Sequence, residues 1–256
     1  MKVSIVTVCY NSAKTIRDTI HSVINQVYPD IEYIIIDGCS NDGTIDIVKS
    51  YGNKISAFIS EPDNGIYDAM NKGICIATGD IVGILNSDDF YINQHVISNI
   101  VNLFKKSNAD TLFADLVYVK HKKTDRIVRY YSGSTFNLNA FAWGTYIPFP
   151  TFFVKRQLYL KYGMYKTDYV IAADFELVAR LLYCGKVSYA YFPEVIVKMR
   201  MGGVSTRNYK SYFISNNEIL RACANNNINT NIIKIYFKYF KKGLQLLSRP
   251  KNSNIF

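Results

Sequence analysis

The stretch "GILNSDDF", residues 83–90, sets two carboxylates, Asp88 and Asp89, side by side directly behind an apolar run. Adjacent like charges raise each other's pKa unless something positive lies between them. Four further acids fall at comparable places: Asp37 and Asp42 in "IEYIIIDGCSNDGT", and Asp63 and Asp68 in "SEPDNGIYDAM". Carboxylates gathered where a ligand binds repel a bare diphosphate, so they need as partners a divalent cation or the hydroxyls and amides of a sugar and a base. A nucleotide-sugar accompanied by Mg2+ or Mn2+ meets both demands. Taken singly, each acid also fits a structural role, because Asp is favoured in turns and helix caps. Asp37 and Asp42 then read as turn residues, and Asp88 or Asp89 as the cap of a helix near Ile92.

The elements that must position these acids are legible in the hydropathy pattern. "VSIVTV" (3–8) is a continuous β-branched run, and Ile16, Ile20, Val23, Ile24 and Val27 follow at helical spacing over residues 13–27. A strand ending at Asp37 is followed by a Gly/Ser/Asn/Asp turn and the helix "TIDIVKSYG", closed by Gly52. "KISAFISE" reads as a third strand, "GIYDAMNKGICIAT" as a helix and "DIVGIL" as a fourth strand. Strands that alternate with helices and are apolar on both faces indicate a parallel sheet covered on both sides, with ligands outside the carboxyl ends of the strands. Here those ends are "YNS", "DGCSNDG", "SEPDNG" and "NSDD". Beyond Asp89, "INQHVISNIVNLFKKS" predicts an amphipathic helix, "TLFADLVYVK" and "RIVRYYSG" a hairpin around "HKKTD", and "DYVIAADFELVARLLYCG" a helix entered from a strand or loop.

Composition narrows the classes. The chain has 256 residues, nearly half of them apolar, enough for a substantial core. The N-terminus lacks the apolar core and cleavage site of a signal peptide, and no apolar run approaches the ~18 residues of a membrane span. Cysteines 9, 39, 75, 184 and 223 form no CxxC pair and are read as reduced cytosolic thiols. Of the net charge of +10, residues 207–256 supply nine Lys/Arg against the single acid Glu218. The remainder is close to neutral, which argues against nucleic acid as a partner. After the first strand stands "CYNSA", neither the glycine-rich turn of a dinucleotide fold nor a GK[ST] phosphate loop.

"SIVTVCYNSAKTIRDTIHSVINQVYPDIEYIIIDGCSNDGT", "SEPDNGIYDAMNKGICIATGDIVGILNSDD" and "IAADFELVARL" together resemble the three signature blocks of family-two glycosyltransferases, most closely the branch found in bacterial O-antigen, capsule and exopolysaccharide synthesis. The likeness covers roughly residues 1–206. It implies a GT-A fold of the α/β class: a mostly parallel central sheet with helices on both faces, plus a C-terminal helical tail. Residues 1–90 would form the nucleotide-sugar-binding half, 91–206 the acceptor-binding and catalytic half, and 207–256 the basic tail. By the same resemblance Tyr10 and Asn11 border the donor nucleotide, and Asp37 holds its uracil or ribose, with Asp42 on the same side. Asp68, Asn71 and Lys72 line the donor pocket. Asp88 and Asp89 form the DxD-type motif, with Asp89 on the divalent cation (Mn2+ or Mg2+) and Asp88 toward ribose or metal. Asp174 is the catalytic base; on the residues alone a helix N-cap is the alternative, and Glu176 reads as no less open to solvent. The implied reaction is a single, inverting displacement at the anomeric carbon of a UDP-sugar, with a polyprenyl-diphosphate-linked saccharide as acceptor. Three departures stand out: Asn86 where many relatives carry an acid, Ala173 where many carry Glu, and Phe149–Pro150 where His is common. "MRMGGVST" offers Arg200 and Ser205 near the diphosphate, or an ordinary glycine turn.

In the tail, Lys234, Lys238, Lys241 and Lys242 interleave with Ile235, Tyr236, Phe237, Tyr239 and Phe240. Such a helix either lies on an anionic membrane at the cytoplasmic face, residues 229–256 supplying the contact, or packs on the body with a solvated basic face. Two other functions use similar parts: a sugar nucleotidyltransferase, which would want an Arg/Lys-bearing glycine loop after the first strand, and a non-catalytic carbohydrate- or lipid-binding module.

Overall fold

A computed structural model describes residues 1–202 and 209–245 of the chain; Ser205 lies outside the described residues. The first half reads β1 (Val3–Cys9), α1 (Ile16–Ile24), β2 (Ile31–Asp37), α2 (Thr44–Lys49), β3 (Ala57–Ser60), α3 (Ile66–Ile76) and β4 (Ile81–Ile84). After Asp89 come β5 (Phe90–Tyr91), α4 (Val96–Ser107), β6 (Thr111–Val119), β7 (Ile127–Tyr131), β8 (Phe153–Lys155), α5 (Gln157–Tyr162), α6 (Ala173–Ala179), β9 (Tyr189–Arg200), α7 (Tyr209–Asn225) and α8 (Ile232–Gln245). The strands form one sheet in the order β3-β2-β1-β4-β8-β6-β9-β5, with β7 beside β6.

Pairings among β1 to β4 are all parallel, and Cys9 lies opposite Asp37, which lies opposite Ser60. The loops after these strands therefore leave the sheet on one side. Antiparallel pairings enter only with β5, β7 and β8. The β6–β7 hairpin forms as expected, while β9 returns parallel to β6 and carries β5 on its far edge.

Side chains alternate between two cores, as the period of a strand requires. Ile5, Tyr33 and Ile35 face α1 and α4 on one side; Val6, Ile34 and Ile36 face α3, α6 and α7 on the other. Of residues 207–256, expected as a basic tail, 207, 208 and 246–256 lie outside the described residues; the rest send α7 and α8 into this second core through the buried Ile219, Ala222, Cys223 and Ile235. Lys238 is buried as well, whereas Ile232, Ile233, Tyr236 and Phe237 remain exposed.

Several expected boundaries move for local reasons. Helix α1 stops at Ile24 because the next residues fasten to α4: Val27 N–H donates to the Gln94 carbonyl and Gln26 Oε1 accepts from Ile97 N–H. Helix α2 ends at Lys49, and Gly52 opens a 3-10 turn at φ +54°. Helix α6 lasts seven residues and runs into a π-turn over Arg180–Cys184.

Gly73 sets the closeness of α3 to the sheet, since a Cβ there would lie 2.3 Å from Val6 Cγ1. Gly73→Ala gains ~1 kcal/mol of helix propensity, yet overpacking against β1 costs about 1 to 3 kcal/mol. The variant should therefore unfold at lower urea concentration with an unchanged m-value; equal or greater stability would show that α3 can lift off the sheet without cost.

Candidate active site

Most of the predicted acids brace loops. Asp37 is 0% exposed, and its oxygens accept from Ser40 N–H (2.9 Å), Ser40 Oγ (2.5 Å) and Ser60 Oγ (2.8 Å), so it ties the loop after β2 to the end of β3. Asp42 accepts from Ala13 N–H and from the N–H and hydroxyl of Thr44. Burial opposes its ionisation, but these hydrogen bonds outweigh it and hold the carboxyl below its usual range. Asn11, in a left-handed conformation at φ +50°, receives Asn41 N–H on Oδ1 and donates its own N–H to Ser40 Oγ. These bonds stitch the loops after β1 and β2 into one rim, above which Tyr10 stands 65% exposed.

The helix residues have similar duties. Asn71 pairs both ways with the backbone of Tyr165, and Tyr67, one turn earlier on α3, donates to the Ile171 carbonyl. Asp68 accepts from Asn64 N–H, and Lys72 bridges Asp68, Glu61 and the Pro62 carbonyl. The hydrogen bond that Lys72 donates to Glu61 raises the Lys72 pKa. What these residues present to a ligand is a shaped rim more than a set of free charges.

The turn after β4 is different. Asp89 N–H closes it on the Asn86 carbonyl, and Asp89 is fully buried with neither carboxylate oxygen making a well-directed hydrogen bond. Asn86 Oδ1 is buried and unfilled beside it. Burial and the neighbouring Asp88 charge push the Asp89 pKa well up; Arg200 N–H and the Asn86 side chain lie close enough to offset only part of this. Burial lifts Asp88 too, against the opposing charges of Arg200 and His121. Neither acid is a helix cap, because β5 intervenes and α4 begins only at Val96. The turn is held from three sides: Thr19 Oγ1 donates to the Asp89 carbonyl, Ser12 and Ser87 hydroxyls meet at 2.8 Å, and Arg200 donates to the Asp88 carbonyl. Arg200 also pairs with Asp18 and is 3% exposed, so it braces the turn from within.

Unfilled buried carboxylate oxygens fit a cation. Among the described residues no group of three or more His, Cys, Asp or Glu side chains forms a metal cage. Asp89, with Asp88, would supply one or two ligands and leave the rest to phosphate oxygens and water, the usual arrangement for Mg2+ at phosphate sites.

Asp174 occupies the first turn of α6, whose N-cap position is Ala172. Its Oδ2 accepts from Tyr146 Oη at 2.5 Å and its Oδ1 from Phe175 N–H at 2.7 Å. Burial raises the carboxyl, these two bonds lower it, the Glu218 charge raises it again, and the balance lies at about 6. Glu176, expected to be as open as Asp174, is instead 0% exposed and paired with Lys166 and Arg180. Arg180 in turn holds the carbonyls of Tyr162, Gly163 and Met164. Glu176 is thus a strut, and Asp174 is the acid left with a near-neutral pKa.

Tyr118 links the two ends of the site. Burial raises its phenol, the Arg129 guanidinium 3.8 Å from its ring lowers it, and the charges of both Asp89 and Asp174 raise it. Arg129 Nε is buried and unpartnered. Sequence reasoning missed Tyr146, Tyr118, Arg129 and Glu218; only Glu218, as the lone acid of a basic segment, carried a signal.

If Asp89 is an uncompensated buried charge, its isosteric neutralisation should relieve the fold. In EDTA at neutral pH, Asp89→Asn should be more stable than the wild type by about 1 to 2 kcal/mol. Mn2+ should then stabilise the wild type and not the variant. Calorimetry checks both, and a variant less stable in EDTA would mean that the carboxylate is already satisfied.

Residues 4–163 match the family described as Glycosyl transferase family 2. An uncharacterized glycosyltransferase of Mycobacterium tuberculosis is 33% identical over 193 residues, covering 73% of this chain and 71% of the relative. The putative teichuronic acid biosynthesis glycosyltransferase TuaG of Bacillus subtilis is 42% identical over 110 residues, 42% of this chain and 44% of TuaG. In three dimensions the chain superposes on S. aureus TarS in complex with UDP-GlcNAc with a TM-score of 0.71 at 18% identity, covering 95% of this chain and 73% of that one. It also superposes on the mannosyltransferase PcManGT of Pyrobaculum calidifontis, in complex with GDP-Man and Mn2+, with a TM-score of 0.68 at 17% identity, covering 96% and 72%. Taken with the sheet and the acids at its strand ends, these likenesses establish that the chain belongs to glycosyltransferase family 2 and is a glycosyltransferase of GT-A fold.

Proposed function

We propose that the enzyme transfers a sugar, with inversion, from a UDP-sugar to a hydroxyl of a lipid-linked saccharide in bacterial surface polysaccharide synthesis. The observation that carries this reading is Asp174: half-buried, oriented by Tyr146, and poised near neutrality at about 6. A carboxylate so placed accepts the proton of an acceptor hydroxyl as that oxygen attacks the anomeric carbon. One base and one displacement give inversion.

On the donor side, Tyr10 offers an exposed ring to the base, while Asp37, Asp42 and Asn11 keep the rim in shape. Asp68, Asn71 and Lys72 hold α3 against that rim and against the loop before α6. Asp89, with Asp88, would hold a divalent cation, which when bound neutralises charge developing on the leaving diphosphate. Arg129, whose buried Nε has no partner and whose guanidinium lies over the Tyr118 ring, suits a phosphate oxygen.

UDP-GlcNAc bound to TarS supports a uridine nucleotide, Mn2+ in PcManGT supports the cation, and the teichuronic acid role in TuaG's name supports a surface polysaccharide product. No helix among the described residues is long and apolar enough to cross a membrane. The outward Phe213, Ile233, Tyr236 and Phe237, with the basic segment around them, suit peripheral contact with an anionic bilayer at its cytoplasmic face. Nucleotidyltransferase and non-catalytic readings draw no support from a family of glycosyltransferases.

The carboxylate is the active form, so a pKa of about 6 in the free enzyme places the acid limb of kcat/KM there, with activity lost as pH falls through it. Asp174→Asn should lower UDP-sugar turnover about 10²- to 10⁴-fold and leave UDP binding intact. Wild-type turnover in that variant would overturn the reading.

A further inference from the structure

The segment before α6 is gripped from α7, a helix that lies beyond the residues matching the family. Glu218, 8% exposed, accepts three consecutive backbone N–H groups: Val170 at 2.7 Å on Oε1, and Ile171 and Ala172 at 2.9 Å on Oε2. One turn on, Arg221 donates to the carbonyl (2.8 Å) and carboxylate (3.1 Å) of Asp168, and its guanidinium lies 3.8 Å from the Tyr169 ring centroid. Asn225 donates to Tyr169 Oη. Residues spaced three and four apart share one helix face, so this is a single surface applied to one loop. From the opposite side Tyr67 Oη donates to the Ile171 carbonyl.

Ala172 offers α6 no side-chain cap. Without Glu218, three adjacent buried or half-buried N–H groups lose their acceptor, and the loop must move to satisfy them. Asp174 begins two residues later. A shift of about 1 Å in a reacting group costs about a hundredfold in rate.

We infer that the Glu218–Arg221–Asn225 face of α7 is a positioning clamp for the catalytic base, making the basic C-terminal segment part of the catalytic machinery. This rests on the reading of Asp174 as base. Glu218 acts through the loop, and Asp174 itself faces Glu218 and the phenols of Tyr146, Tyr67, Tyr118, Tyr131 and Tyr165.

The test compares full-length wild type with Glu218→Gln, Arg221→Lys and Asp174→Asn, using UDP-sugar turnover with Mn2+ and hydrogen exchange of the 170–172 amides. Glu218→Gln should lower kcat about tenfold to a hundredfold and leave the donor KM within about twofold. It should shift the acid limb of kcat/KM to lower pH, since a negative neighbour is removed, and speed exchange of those amides at least about tenfold. Arg221→Lys, which keeps the charge but not the fork, should reproduce the kcat loss in milder form. A simple loss of stability would move neither the limb nor the ratio of kcat to KM. Wild-type kcat and limb in Glu218→Gln, with Asp174→Asn inactive, overturn the clamp alone; full turnover in Asp174→Asn overturns the base and the clamp together. Rapid exchange of these amides in the wild type also overturns the clamp, whether or not the variants fold.

Discussion

The arrangement depends on a buried carboxylate that the protein leaves unfilled. Asp89 has no exposed surface and no well-directed hydrogen bond to either oxygen, although its own backbone carbonyl is held by Thr19. An isolated buried charge is costly unless it is protonated or met by a cation. The surrounding contacts relieve only part of that cost, and they keep the turn from relaxing. Ser12 and Ser87, Arg200 on the Asp88 carbonyl, and the Asn86–Asp89 turn bond fix the backbone, while Asp37 and Asp42 spend their own oxygens on the adjoining loops. The side proposed for the donor is therefore a rigid rim around one acid that the fold leaves largely unsatisfied.

The side proposed for the acceptor is built on the opposite plan. Asp174 is well hydrogen-bonded, and its pKa is raised by burial, so the protein tunes a group where it elsewhere leaves one bare. The two ends are tied by α3, which contributes Asp68 and Lys72 to the rim and grips the 165–171 segment through Tyr67 and Asn71. Through Glu218, α7 closes the same segment from outside.

Much of the fold was legible because parallel strands buried on both faces must be continuously apolar, which is how residues 3–9 and 31–37 read. The positions of the acids were legible for the same reason, since strand ends follow from the strands. Which acids are free was not: Asp37 and Asp89 both stand at the end of an apolar run, and only the neighbours contributed by other loops separate a brace from a bare charge. Glu176 misled because Lys166 and Arg180 close over it in three dimensions. Tyr146 reaches Asp174 across 28 residues and Glu218 reaches Ala172 across 46, separations at which no periodicity carries information. The tail helices mixed both cases: α8 was evident from its spacing, but the burial of Lys238 beside the exposed Tyr236 and Phe237 reflects how the helix docks on the body.

The central claim is that Asp89 is kept bare for a cation shared with the donor diphosphate. The most direct measurement is anomalous diffraction at the manganese edge from crystals of the wild type and of Asp89→Asn, each grown with UDP and Mn2+. The account predicts one manganese peak in the wild type, between the Asp89 carboxylate and the diphosphate, and its loss in the variant. UDP bound in the wild type with no manganese at Asp89, or a peak that persists in the variant, would contradict it.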